Sequence, residues 1–212
     1  MQINWCYKGI SEGVTFGDAE ASAVLSDTGI VSVWMRTNRS LALDVANVAS
    51  QDALSPNALD DHVNAYALVS RTTPYISLSS GCIEFAGPNT VPPKYAALRT
   101  ALDFATDGGR TSGYVFRCWV ITGLKPVPEL PGFAEETRDL NLFSNLYLYH
   151  NEGEITAKLV VPRRQIHWVL KVGPNLRPVA ASWSPSGAPF GAFRNPDFLL
   201  PDRASNVIEA IY

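Results

Sequence analysis

The stretch Glu152-Gly153-Glu154-Ile155-Thr156-Ala157-Lys158-Leu159-Val160-Val161-Pro162-Arg163-Arg164-Gln165-Ile166 decides how the chain is read. Two carboxylates two residues apart lead into the β-branched, apolar run Glu154 to Val160, which predicts a strand. Pro162-Arg163-Arg164 interrupts it as a solvated turn, and Ile166-His167-Trp168-Val169-Leu170-Lys171-Val172 resumes as the last strand of a core pair. Side chains two apart on a strand share a face, so Glu152 and Glu154 are expected to point into one cleft.

Upstream, Gly113 to Ile121 reads as a well-buried strand and Leu146 to Tyr149 as another, separated by a loop from Lys125 to Asn141 with three prolines and a cluster of acids. Loops of that length in compact domains are often functional. A helix opens at Pro92-Pro93 and closes at Asp107-Gly108-Gly109, with Tyr95, Leu98, Leu102 and Ala105 at helical spacing. Before it, Thr73 to Gly81 is a strand that sets Ser77 and Ser79 on one face and Leu78 on the other. From Ser55 the pattern is helical, with Leu59, Val63, Tyr66 and Ala67 near one face and His62 on the same segment. The first convincing strand is Ile30 to Arg36, ended by the polar turn Thr37 to Ser40, which places Arg36 at a strand end. Strands dominate the core while helices cluster before it, so the expected class is α+β rather than an alternating parallel fold.

Beyond Gly173 the texture changes: Pro174, Pro178, Pro185, Pro189, Pro196 and Pro201 predict an irregular tail over residues 173–212, packed on or extending from a domain of residues 1–172. A chain of 212 residues suffices for one such domain with a real core. No apolar run approaches the roughly 18 residues of a membrane span, so no membrane partner is expected. The first residues show no basic region followed by an apolar stretch, which predicts a cytoplasmic protein or an effector exported without such a signal. The net charge of -3 argues against a dominant nucleic-acid footprint, though a local basic groove stays open. Cys6, Cys82 and Cys118 are far apart, without a CxxC pair or nearby histidines, so they predict small buried apolar residues and no metal site. His150 and His167 read as structural for the same reason.

An arginine at the end of an early strand, Ser77-Leu78-Ser79 on a middle strand, and Glu152-Gly153-Glu154 leading into a late one occur here in a fixed order. Together with the run on to Pro162 and Ile166, that order resembles the mono-ADP-ribosyltransferase family of the cholera and pertussis toxins' catalytic subunits, over roughly Val31 to Val172. The resemblance is closest to the pertussis-like members, which also carry a histidine on the helix after the first strand, a position His62 matches. It implies a mixed β core of two packed sheets with N-terminal helices around an NAD cleft. It also implies NAD as co-substrate, cleaved at the nicotinamide bond, with ADP-ribose passed to an acceptor. Glu152, Glu154 and Ser77 would be catalytic, and Arg36, His62 and Ser79 would hold NAD.

The physical roles agree with that assignment. Breaking the nicotinamide–ribose bond builds positive oxocarbenium character on the sugar, which a fixed carboxylate, Glu154, stabilises. Ser77 would orient Glu154, and the forked, permanently charged Arg36 would hold a diphosphate or the adjoining ribose. A guanidinium acceptor cannot attack while fully protonated, so a second carboxylate, Glu152, points to arginine on a target protein as the acceptor. Tyr147 and Tyr149, just before the acid pair, read as core residues, or, as the resemblance implies, one of them faces that acceptor. Leu78 and Asn38 depart from the family's threonine and acid, and the tail has no counterpart in it. The implied role is that of a toxin or effector; the alternatives are hydrolysis of NAD with water as acceptor, or an inert interaction domain of the same fold.

Overall fold

The computed structural model describes residues 2–38, 54, 56–80, 93–122, 133–135, 154–184 and 191–201. The class is α+β, with a mostly antiparallel sheet and short helices packed around it. The strands are β1 (Gln2–Ser11), β2 (Ile30–Val31), β3 (Tyr75–Ser79), β4 (Gly113–Thr122), β5 (Phe133–Glu135), β6 (Glu154–Lys158), β7 (Val160–Val161), β8 (Ile166–Val172) and β9 (Phe193–Arg194). Helices α1 (Asp18–Ala23), α2 (Val33–Thr37), α3 (Pro56–Asn64), α4 (Tyr66–Val69) and α5 (Pro93–Thr106) complete the frame, α1 running on into a wider turn over Val24–Thr28.

Seven strands hydrogen-bond in the order β1-β3-β6-β5-β4-β8-β9, while β1 also pairs with β4 over its whole length. The strands β1, β3, β6, β5 and β4 therefore close into a ring, and β2 with β7 forms a separate two-stranded sheet. Because β1 occupies one edge of β4, the other edge is shared: β8 takes Gly113 to Cys118 and β5, parallel to β4, takes Ile121 and Thr122. β5 falls inside the stretch expected to be an irregular loop.

The core fills the ring. Cys6, Phe116, Cys118 and Val120 on β1 and β4 meet Ile76, Leu78, Ile155 and Ala157 on β3 and β6, and Val24, Leu25 and Ile30 close one side. The buried thiols of Cys6 and Cys118 sit directly opposite each other across β1 and β4. Helix α5 covers the outside of β1, where Ala101 and Ala105 pack with Val115, Val172 and Tyr7.

Strand β1 carries no sequence expectation; its Cys6 and Ile10 meet the core, while Tyr7 packs beside α5 and Ile3 and Trp5 pack with Trp119, Ile121 and Phe198. The expected strand Ile30 to Arg36 is corrected: only Ile30–Val31 is extended, paired with Val160–Val161. Ser32 then caps α2, its hydroxyl accepting from the Met35 N–H at 3.1 Å, so the chain turns helical despite Val33 and Trp34. The long helix expected from Ser55 stops at Asn64, where Ala65 leaves the helical region, and Tyr66 is half exposed rather than on the buried face of Leu59 and Val63. The strand starting at Glu154 also ends two residues early, at Lys158: Leu159 has φ of 57°, and its N–H and C=O bond Pro74 and Ser32 instead. That break lets Val160 switch sheets to pair with β2.

The described part of the tail, residues 173–184 and 191–201, packs on the rest of the chain. Trp119 donates its indole N–H to the Leu199 carbonyl at 2.9 Å, Phe198 stacks on His167 at 4.6 Å, and Asn195 donates to the carbonyls of Arg163 and Ile166. Arg163, expected in a solvated turn, ion-pairs Asp197 and donates to the Ser26 carbonyl. Near its start, the Ser182 N–H binds Asp18, whose carboxylate also meets Tyr114 and Lys171. Ending the chain at residue 190 should uncover Trp5, Trp119 and His167 and cost on the order of 3 kcal/mol, from one buried aromatic and several hydrogen bonds. A thermal melt and a red-shifted tryptophan emission would read this; an unchanged melting temperature would contradict it.

Candidate functional site

Strands β3 and β6 set up the site through register. Ser77 lies opposite Thr156 and Ser79 opposite Glu154, so these four share the face away from the core, while Leu78 and Ile76 face Ile155 and Ala157 inside the ring. The period of two read from Ser77, Ser79 and Leu78 thus holds. Glu154 is a carboxylate only 7% exposed. Burial pushes its pKa up, while hydrogen bonding from Ser77, the positive charge of Lys8 and a hydrogen bond from Thr156 pull it partly back. The Thr156 hydroxyl reaches the Glu154 Oε1 at 3.3 Å.

Helix α3 brings His62 to the same place. Leu59 and Val63 pack on Tyr75 and fix the helix against the start of β3. The His62 Nε2 lies 2.9 Å from the Ser77 Oγ and 4.0 Å from the Glu154 Oε1, and its Nδ1 lies 2.7 Å from the Thr73 Oγ1. Tyr66 meets the ring edge-on at 5.4 Å and Tyr75 flanks it at 5.7 Å. Burial, with Lys8 nearby, lowers the His62 pKa to about 4, so the imidazole is neutral at neutral pH. His62 is therefore both a satisfied buried histidine and a member of the site.

The cleft opens where β1 and β3 diverge: among the described residues they share one pair, Tyr7 opposite Ser79. Beyond that pair the edge of β1 from Lys8 to Ser11 lines a cavity of about 940 Å³, together with Gly29 to Val33, His62, Ser77, Ser79 and Glu154. Such a volume lies in the range of small-molecule and cofactor sites. Thr100, Ala101 and Phe104 of α5 form another wall, and Phe104 and Tyr66 stand at the cavity 60% and 50% exposed.

Among the described residues, two basic side chains, Arg36 and Lys8, line this cavity. Arg36 does line it, but from the exposed surface of α2 and not from a strand end, because Ser32 starts that helix. Lys8 on β1 is the residue that sequence reasoning missed. Burial lowers its pKa, the Glu154 carboxylate raises it and the Arg36 charge lowers it again, so all three charges share one field. Lys8 alternates with Trp5 and Tyr7 along β1, so in the sequence it reads like a solvent-facing strand residue.

The structure thus brings together Glu154, Ser77, Ser79, His62 and Arg36. Glu152, His150, Tyr147, Tyr149 and Cys82 lie outside the described residues. Chemically, the arrangement offers a buried carboxylate with fixed donors at the wall of an open cleft, flanked by positive charge. It can stabilise a cation that develops next to an anionic group.

Among the described residues, no three His, Cys, Asp or Glu side chains gather as a metal set, and no helix is long and apolar enough to cross a membrane. No protein-family model and no curated protein matches the sequence. The chain is similar to the solved structure named EcPltA, at 13% identity and a TM-score of 0.48, over 93% of this chain and 89% of that one.

Proposed function

We propose that the chain is an NAD-dependent mono-ADP-ribosyltransferase that cleaves nicotinamide from NAD and transfers ADP-ribose to an acceptor, with arginine on a target protein as the leading candidate. The observation that carries this reading is Glu154, a carboxylate buried on β6 and hydrogen-bonded by Ser77, at the wall of a cleft of about 940 Å³. The expected order of serine strand and acid strand is also a register, Ser77 and Ser79 against Thr156 and Glu154.

In this reading NAD lies along the seam between β1 and β3. Lys8 and Arg36 meet its diphosphate, two cations for an anionic group. As the nicotinamide–ribose bond breaks, its electron pair leaves with nicotinamide and the ribose carbon gains positive character, which the ionised Glu154 faces. A low-dielectric surrounding strengthens that attraction. The acceptor then bonds to the same carbon and loses a proton, the step for which Glu152 is the candidate base.

Labelled NAD incubated with the protein and a cell lysate should give labelled macromolecules, with arginine as the modified residue by mass spectrometry. Release of nicotinamide without labelled acceptor would favour hydrolysis. No NAD binding by calorimetry together with no nicotinamide release would sink the enzyme reading and leave an interaction domain.

The acid side of the rate profile offers a separate test. A carboxylate whose pKa is raised loses its charge at a higher pH than usual, so activity should fall with acidification above the ordinary value of 4.5. Ser77→Ala removes the donor that lowers this pKa, so its acid limb should lie at still higher pH, with the plateau rate reduced roughly tenfold. An acid limb that stays put in Ser77→Ala would show that Ser77 does not hold the Glu154 charge.

A further inference from the structure

We infer that Thr73 is a positioning residue: its hydroxyl fixes the tautomer of His62 and thereby aims the Ser77 proton at Glu154. The clause that concerns catalysis rests on the functional reading above; the tautomer does not.

The argument is an inventory of hydrogens. The Thr73 hydroxyl has one proton to donate and accepts from the Tyr75 N–H at 3.2 Å. Its only other partner among the described residues is the His62 Nδ1 at 2.7 Å. An N–H cannot accept, so the Thr73 proton has one place to go, the Nδ1 lone pair. At neutral pH the ring carries a single proton, which then sits on Nε2. From there it reaches the Ser77 oxygen at 2.9 Å, whereas Glu154 at 4.0 Å is beyond hydrogen-bond distance. Ser77, now an acceptor from His62, has its own proton free to donate to the Glu154 carboxylate.

The opposite tautomer reverses the chain. A proton on Nδ1 would bond the Thr73 oxygen and leave the Thr73 hydroxyl proton without an acceptor in a site 3% exposed. Nε2 would become an acceptor and draw the Ser77 proton away from Glu154. One hydroxyl three hydrogen bonds away from the carboxylate therefore decides whether Ser77 faces Glu154 as a donor or as a bare oxygen. Thr73 is itself pinned from both sides: its N–H donates to the Val69 carbonyl at 2.9 Å and its carbonyl accepts from the Trp34 N–H at 3.0 Å. It is buried, and no element of the serine or acid motif contains it.

The test compares Thr73→Val, which keeps the shape and loses the hydroxyl, with Thr73→Ser, which keeps the hydroxyl. Nitrogen-15 NMR of the imidazoles, with His62 assigned by its loss in His62→Gln, reads the tautomer directly. The wild type and Thr73→Ser are expected to show the neutral Nε2–H form alone, and Thr73→Val a measurable Nδ1–H population. In nicotinamide release from NAD, Thr73→Val should lose about tenfold in kcat with KM for NAD within twofold, and Thr73→Ser should restore the rate. A wild-type ring in the Nδ1–H form overturns the proposal, as does Thr73→Val that keeps Nε2–H alone. Should Thr73→Val fail to fold, the wild-type tautomer and the Thr73→Ser rate decide. A wild type that releases no nicotinamide sinks the functional reading and leaves the tautomer result standing.

Discussion

Glu154→Gln is expected to abolish nicotinamide release, by at least about 10²- to 10³-fold, while raising the melting temperature by a few degrees at pH 7. The two effects share one cause. Glutamine keeps the shape and one acceptor oxygen for Ser77 but lacks the charge that faces the developing cation. The same charge is a cost in the ground state: burial raises the Glu154 pKa against the help of Ser77, Lys8 and Thr156. The folded state thus holds its proton more tightly than the unfolded chain, whose carboxylate ionises near 4.5. Stability falls as pH rises through 4.5 towards the raised folded value, and the loss persists above it. Glu154→Gln escapes that loss, so its advantage should be full at pH 7 and vanish on acidification below about 4.5. Melts of both proteins across that range would measure it; a variant less stable than wild type at pH 7 would mean that the charge is held favourably and the argument fails.

The strands around Glu154 show how much of the site is legible in the sequence. The faces of β3 and β6 follow from a period of two with one side apolar, which sets Ser77 with Ser79 and away from Leu78, while the grouping of that strand with Glu154 came from the family likeness. His62 followed from its place on an amphipathic segment and from a family likeness. Lys8 was hidden for a physical reason: along β1, Ile3, Trp5 and Tyr7 alternate with Asn4, Cys6 and Lys8, so the lysine reads as an ordinary solvent-facing strand residue. Arg36 lines the cleft from a helix and not from the strand end expected of it. The β-propensity of Ile30 to Trp34 was overruled by one cap, Ser32, and by the N–H of Trp34 bonding Thr73. Leu159 was beyond sequence reading altogether. A bulky residue at φ of 57° carries no local signal; it is held there by hydrogen bonds to Pro74 and Ser32, distant in sequence.

Gly9→Ala should destabilise the protein by about 3 kcal/mol and lower its melting temperature by roughly 6–12 °C. A methyl at Gly9 would lie 2.0 Å from the Ala101 carbonyl oxygen and 2.7 Å from the Ala105 nitrogen. Both are backbone atoms of α5, so no flexible side chain can swing away. The helix sits this close because Ala101 and Ala105 are small and because the strands offer no side chain at Gly9 or Gly113. At Gly113 the clash is as severe, 1.8 Å from the Ala105 oxygen. Each substitution must therefore lift α5 from the sheet, and since both press on the same helix, Gly9→Ala with Gly113→Ala should cost less than the sum of the two. Gly13→Ala meets nothing within 4 Å and should leave the melt unchanged, which controls for the added methyl itself. Lifting α5 also moves Thr100, Ala101 and Phe104, which wall the cleft, so any Gly9→Ala protein that folds should bind NAD more weakly. A Gly9→Ala melt within a degree of wild type would mean that α5 does not rest on the β1 backbone, and the cleft wall it supplies would have to be redrawn.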